Sequence, residues 1–190
     1  MRQYGSKRQR GFSLLEGLIA MAIIMVVLAM SVIGFSYLQP NFKANSAMDQ
    51  VVYRLRSARE QAIAHRRNVQ VQFTGTNQIK ISELWPSGTA PLPVTVSFEG
   101  GAQFMVFSAL PDTPMAFGNT APVYFGGASG GPPIMQFTTN GSFVDSGNTL
   151  VNGTVFLGIP GNQSTARAVT ILGGTGRVRE YHWDGSQWQE

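Results

Sequence analysis

The chain of 190 residues contains no cysteine. That absence excludes a disulfide framework, a thiolate metal site and a thiol nucleophile. Histidine is almost as scarce: His65 and His182 are too few to build a catalytic triad or a histidine metal cage. Charged residues make up 13% of the chain against 43% hydrophobic, a balance that supports a buried core and argues against wholesale disorder. Acids are missing from residues 1–11, which hold four of the 14 bases (Arg2, Lys7, Arg8 and Arg10). The remainder carries ten bases and ten acids, so the net charge of +4 belongs to the amino terminus and does not by itself point to a polyanionic partner. Phosphate-binding motifs are lacking as well. "GIPGNQST" (158–165) has no Gly-Lys-Ser/Thr ending, and "LGGTGRV" (172–178) lies between two strand candidates, not between a strand and a helix. No catalytic residues, cofactor or metal are expected, and the chain reads as a non-enzyme. The Asn-x-Ser/Thr triplets at Asn140, Asn152 and Asn162 read as turn sequences.

A long charge-free run is present. From Gly17 to Phe35 no residue is charged, and nineteen residues at about 1.5 Å each span roughly 28 Å, close to the thickness of a bilayer's hydrocarbon. A core helix of a soluble domain is rarely apolar on every side over such a length. A secretory signal usually has a shorter apolar run ending in a small-residue cleavage site, for which Ala29-Met30-Ser31 is a poor candidate. A plain membrane anchor fits the length but leaves Glu16 unexplained. An acid near a span costs on the order of 2–3 kcal/mol unless it lies at the interface or finds a partner.

The stretch Gly11-Phe12-Ser13-Leu14-Leu15-Glu16 resembles the type III signal of type IV pilins and pseudopilins: a short basic leader, Gly, Phe-Ser/Thr-Leu-hydrophobic-Glu, then about twenty apolar residues. The resemblance implies cutting by a prepilin peptidase between Gly11 and Phe12 and N-methylation of Phe12. Glu16 becomes the fifth residue of the mature chain, with an assembly role. It lies one helical turn from the new amine and can face the amine of a neighbouring subunit, where a paired charge is tolerable and fixes axial register.

Four segments follow: a leader (1–11), a transmembrane and filament-core helix (12–38), an amphipathic continuation (39–67) and a β-rich globular domain (68–190). Pro40 is expected to kink or interrupt the helix. Beyond it Met48, Val51, Val52, Leu55, Ala58, Ala62 and Ile63 recur at helical spacing and predict a stripe that docks on a sheet. Arg54, Arg56, Arg59, Arg66 and Arg67 crowd the same helix against only Asp49 and Glu60. They read as a solvated face, with Arg66 and Arg67 at the helix carboxyl end, or as a basic patch. Alternating stretches then predict strands at 68–73 (Val69, Val71, Phe73) and 78–84 (Ile79, Ile81), with others at 94–98, 103–107, 134–137, 154–159, 168–172 and 177–183. Turn-rich pieces between them suggest an antiparallel meander, giving an α+β chain. Residues 111–133, with five prolines and five glycines, read as a long exposed loop.

One long helix plus a β-domain resembles the FimT/GspH group of minor pilins and pseudopilins, and "FTTNGSF" (137–143) is similar to that group's Phe-x-x-x-Gly signature. In "GRVREYHW" (176–183), strand alternation places Arg177, Arg179, Tyr181 and Trp183 on one face with Val178 opposite, a surface suited to phosphates and stacked bases. Its Gly-Arg-x-Arg element resembles the motif by which FimT-type pilins contact DNA in natural transformation. The alternative for Arg177 and Arg179 is structural: keeping an edge strand soluble, or pairing with Glu180 and Asp184. The resemblance implies a minor type IV pilin of pilus assembly or tip, with double-stranded DNA as a further partner, or a GspH-type pseudopilin of a type II secretion system with a structural role alone. It also implies other pilin subunits and a prepilin peptidase as partners. The implied location is the inner membrane, single-pass with a periplasmic domain, and then the pilus or pseudopilus at the cell surface.

Overall fold

The structure, a computed structural model, describes residues 13–85, 88, 91–126 and 134–190, with the side chains of 32–34 and 36–37 outside that description. The chain divides into two compact units, Met1–Gln39 and Pro40–Glu190. Helix α1 (Leu14–His65) contributes to both; of the two expected effects of Pro40, a kink or an interruption, the interruption does not occur. Within the first unit, Leu14–Ser31 is long and apolar enough to cross a membrane, and none of it is buried. Its large side chains stand in the open, Leu14 at 82% exposure.

In the second unit the predicted stripe forms. Met48, Val51, Val52, Leu55, Ala58 and Ala62 are buried, joined by Ala44 and Ala47, while Ile63 is 42% exposed, a correction to the expected stripe. Two antiparallel sheets supply what the stripe packs against. The first has the order β3-β2-β1-β6-β7, from β1 (Val69–Thr74), β2 (Gln78–Glu83), β3 (Val94–Ser97), β6 (Ile134–Phe137) and β7 (Phe143–Val144). The second has the order β11-β10-β9-β8-β4, from β4 (Gln103–Phe104), β8 (Gly153–Ile159), β9 (Asn162–Leu172), β10 (Arg177–Trp183) and β11 (Trp188–Gln189), with β5 (Val123–Phe125) also on β8. In β1, Val69, Val71 and Phe73 point inward, as period-two alternation demands.

The main core joins the helix stripe to Val71, Ile79, Phe137, Val155 and Ile171 from both sheets. At about 1.5–3 kcal/mol per buried large apolar side chain, it is the dominant stabilising contribution. Phenylalanines thread through it: Phe73 meets Phe104 edge-on at 5.5 Å between ring centres, and Phe137 meets Phe143 at 4.8 Å. A second, smaller core covers the other face of the second sheet, where Phe156, Ala166, Ala168, Tyr181 and Trp188 pack with Leu110 and the half-buried Phe107 and Met115. This explains two departures from expectation. The strand expected at 103–107 ends at Phe104, and Met105 onward turns over the sheet, with the Met105 N–H on the Phe156 carbonyl at 3.1 Å. Residues 111–126 are likewise no free loop. Trp188 Nε1 donates to the Pro111 carbonyl at 2.9 Å, Thr113 and Phe125 are buried, and Val123–Phe125 pairs with β8. Residues 127–133 of the expected loop lie outside the described residues.

Arg167 on β9 is buried and ties the strand to the helix. Its Nε donates to Asn45 Oδ1 at 2.7 Å, Nη2 to Asn41 Oδ1 at 3.4 Å, and Nη1 to the Ser164 and Ala166 carbonyls. Burial pushes its pKa down, and hydrogen-bond acceptors rather than a carboxylate accommodate the charge.

Candidate functional site at the amino terminus and strand β10

Glu16 lies in the first turn of α1, where a negative charge is favoured by the helix dipole. Around it Leu14, Leu15, Leu18 and Ile19 are all exposed, so the acid stands within an unburied apolar surface. Gly11 and Phe12, the expected cleavage and methylation positions, lie outside the described residues.

The Gly-Arg-x-Arg element begins in a reverse turn. The Thr175 and Gly176 N–H groups share the Leu172 carbonyl at 3.3 and 2.7 Å, with Gly176 at φ +61°. This is a β-turn closed by a bulge whose left-handed position favours glycine. A Cβ at Gly176 would stand 2.1 Å from the Gly141 carbonyl oxygen. The two signature glycines, of "FTTNGSF" and of Gly-Arg-x-Arg, therefore meet backbone to backbone. Arg59 of the helix locks them together, its Nε donating to the Thr175 carbonyl at 3.0 Å and to the Gly141 carbonyl at 3.3 Å.

Along β10 the expected alternation holds for Val178, which joins the main core on the helix side. The opposite face is less open than expected. Arg177 is exposed, and among the described residues no carboxylate lies within ion-pairing distance of it. Arg179 is half-buried, its Nη1 at 3.1 Å from Glu190 Oε2, and its pKa is raised first by the Tyr181 hydroxyl and then by Glu190. Tyr181 is a correction: at 3% exposure it is part of the second core and cannot offer its ring to a base. Trp183 is half-buried against the same core, edge-on to Trp188 at 5.5 Å, which reduces the expected stacking platform.

On the helix side, Arg56, Arg59 and Glu60 of α1 line one open groove of about 460 Å³ with Thr175, Gly176, Arg177 and Val178. A neighbouring groove of about 400 Å³ runs past Asp49, Tyr53, Arg56, Glu60 and Glu180. The helix arginines and the strand arginine, read from the sequence as two separate patches, thus share one surface. Arg54 does not line either groove, its guanidinium lying over the Tyr53 ring at 5.4 Å, and Arg67 stacks on Trp85 at 3.8 Å beside Glu83. No local signal could have joined Arg56 to Arg177, because their meeting depends on the sheet's docking. Among the described residues no three His, Cys, Asp or Glu side chains are grouped as metal ligands.

Comparison with known proteins agrees at the amino terminus. Residues 6–32 match the profile of the family described as "Prokaryotic N-terminal methylation motif". The chain thus carries that motif at the head of an apolar helix, with antiparallel sheets behind it, and is α+β. Among solved structures, the type IV minor pilin FimU of Pseudomonas aeruginosa is similar at 18% identity and a TM-score of 0.48, over 77% of this chain and 92% of that one. The minor pseudopilin EpsH from the type 2 secretion system of Vibrio cholerae is similar at 14% identity and a TM-score of 0.47, over 74% of this chain and 97% of that one. At such identities and scores, nothing about function passes from those proteins to this chain. No curated protein sequence matches.

Proposed function

We propose that the chain is a minor pilin or pseudopilin, a subunit made as a precursor in the inner membrane and moved into a type IV pilus or a type II secretion pseudopilus. The observation that carries this reading is the conjunction at one end of α1 of the methylation motif, the lone acid Glu16 and an unburied apolar helix from Leu14 to Ser31. Before assembly the Leu14–Ser31 segment anchors the protein, the β-domain stands in the periplasm, and a prepilin peptidase removes residues 1–11. Mass spectrometry of filament-associated protein is expected to find an amino terminus at N-methylated Phe12, and Gly11→Val is expected to leave the leader attached. An intact Met1 in filaments, or a cut near Ser31, would overturn the processing.

A second reading adds a receptor role, in which a pilus carrying this subunit takes hold of extracellular duplex DNA during natural transformation. It is favoured by one observation: Arg177 is exposed and, at the edge of β10, lines the same groove as Arg56 and Arg59. Guanidiniums so placed meet phosphates and read no bases, so binding is expected to be weak and indifferent to sequence. About three phosphate contacts give a log–log salt slope of roughly −3. In gel shifts at low salt with the detergent-solubilised full chain, Arg56→Gln with Arg177→Gln is expected to weaken binding by about tenfold or more. Arg179→Gln is expected to do less, since Glu190 already holds that guanidinium, and Arg54→Gln is the control. Equal shifts for the double variant and the unaltered chain would leave the assembly role alone, in pilus or secretion pseudopilus.

A further inference from the structure

Strand β10 is only partly covered on its outer side. Strand β11 pairs with His182 and Trp183 and no further, so from Arg177 to Tyr181 β10 has a strand partner on the β9 side alone. Which groups the open edge presents follows from the ladder. The Asp184 N–H bonds the Gln187 carbonyl on the β11 side. Backbone groups of successive residues alternate between the two sides of a strand, so those of His182, Glu180 and Val178 point the same way as Asp184. Among the described residues, the N–H and C=O groups of Val178 and Glu180, beyond the end of β11, therefore meet no strand. Among the described residues no hydrogen bond from a side chain reaches them.

Beside this edge runs the groove under α1, and its charge changes along its length. Arg56 and Glu60 line it throughout; Arg59 and Arg177 make the end near Val178 net basic, and Asp49 and Glu180 make the end near Glu180 net acidic. A strand added to the edge would set its side chains opposite Val178 and Glu180 on the groove side. The acidic half disfavours a polyanion over the whole length, whereas paired N–H and C=O groups suit another polypeptide backbone.

We propose that this edge is a β-augmentation site for an extended segment of about five residues from a neighbouring subunit of the assembly, an inference that rests on the subunit reading above. An antiparallel segment reading base–any residue–acid fits it: the base falls opposite Glu180, within reach of Asp49 and Glu60, and the acid falls opposite Val178, facing Arg56 and Arg59. The segment adds a strand where β11 stops, and the charge gradient fixes its direction and register.

Hydrogen exchange read by mass spectrometry tests this on the full chain, in detergent and in isolated filaments. The Val178 and Glu180 amides are expected to exchange readily in detergent and at least about tenfold more slowly in filaments. Glu180→Pro removes the edge N–H without touching the β9 ladder, as proline is tolerated where no ladder bond is donated. It is expected to lower recovery in filaments by about fivefold or more, while Glu180→Gln, which keeps the N–H, lowers it less. Equal exchange of both amides in the two states overturns the proposal even if Glu180→Pro fails to fold, as does recovery of a folded Glu180→Pro at the unaltered level. Protection by a 30-base-pair DNA duplex in detergent at a level matching that in filaments would assign the groove to nucleic acid and also overturn it. Absence of the unaltered chain from filaments is a different result, which removes the subunit reading and this inference with it.

Discussion

Gly176→Ala is expected to destabilise the β-domain by roughly 3 kcal/mol, the sum of a left-handed backbone penalty and a steric clash that nearby atoms cannot relieve cheaply. The first part is the ordinary cost, about 1 kcal/mol, of placing a side chain at φ +61°. The second arises because the new Cβ would stand 2.1 Å from the Gly141 carbonyl oxygen, a backbone atom, and 3.0 Å from the Arg59 side chain. To make room, the Gly141 turn must shift, and with it the carbonyl that accepts from Arg59. Two other glycines separate the contributions. Gly161 has φ +78° with nothing near its Cβ position, so Gly161→Ala should show the backbone penalty alone; Gly174 has neither constraint, so Gly174→Ala should be nearly neutral. Thermal unfolding followed by fluorescence of the three tryptophans, which all lie beyond Pro40, reads the effect. At about 2–4 °C per kcal/mol, the expected fall in Tm for Gly176→Ala is roughly 6–12 °C. A fall no greater than that of Gly161→Ala would show that the close approach to Gly141 does not constrain the folded protein.

The same junction shows what could and could not be read in the sequence. Periodicity revealed the buried stripe of α1 and the inward faces of β1 and β2, because those patterns record burial residue by residue. It could not reveal that β1 pairs with β6 or that the strands form two sheets, since neither pairing leaves a local mark. The "FTTNGSF" and Gly-Arg-x-Arg elements stood out as short motifs, yet their contact through Gly141, Gly176 and Arg59 spans residues far apart in the chain. Tyr181 misled for a related reason. Alternation placed it correctly opposite Val178, but strand alternation says which face a residue is on and not whether something covers that face. Here Met105 to Met115 lies over it. Arg167 gave no signal at all; an arginine amid alanines and threonines on β9 looks solvent-facing until Asn41 and Asn45 are seen to receive it.

Glu16→Ala is expected to leave membrane insertion intact, since it removes the only charge between Phe12 and Gln39, and to reduce recovery in sheared filaments by at least about tenfold. On the proposed subunit reading the two effects separate, because the acid would matter only once the helix leaves lipid. Glu16 sits in the first turn of α1, and in a monomer anchored by Leu14–Ser31 that turn would lie near the membrane interface. In the proposed filament the unburied apolar helices would pack on one another, and each processed amino terminus would bring a positive amine into surroundings where a bare charge costs about 2.5–3.5 kcal/mol. A carboxylate one turn along the helix, facing the amine of the next subunit, offsets that cost only at one axial offset. Its loss leaves the amine uncompensated, and at 1.4 kcal/mol per tenfold a penalty of 2 kcal/mol already lowers incorporation by more than an order of magnitude. Glu16→Gln distinguishes charge from shape: it keeps size and hydrogen bonding but not the ion pair, and is expected to fall nearer to alanine than to the unaltered chain. Asp in its place keeps the charge on a shorter arm and is expected to recover part of the incorporation. Recovery of Glu16→Ala in filaments at the unaltered level would mean that the apolar helix packs in register without the acid, and that Glu16 serves the monomer instead.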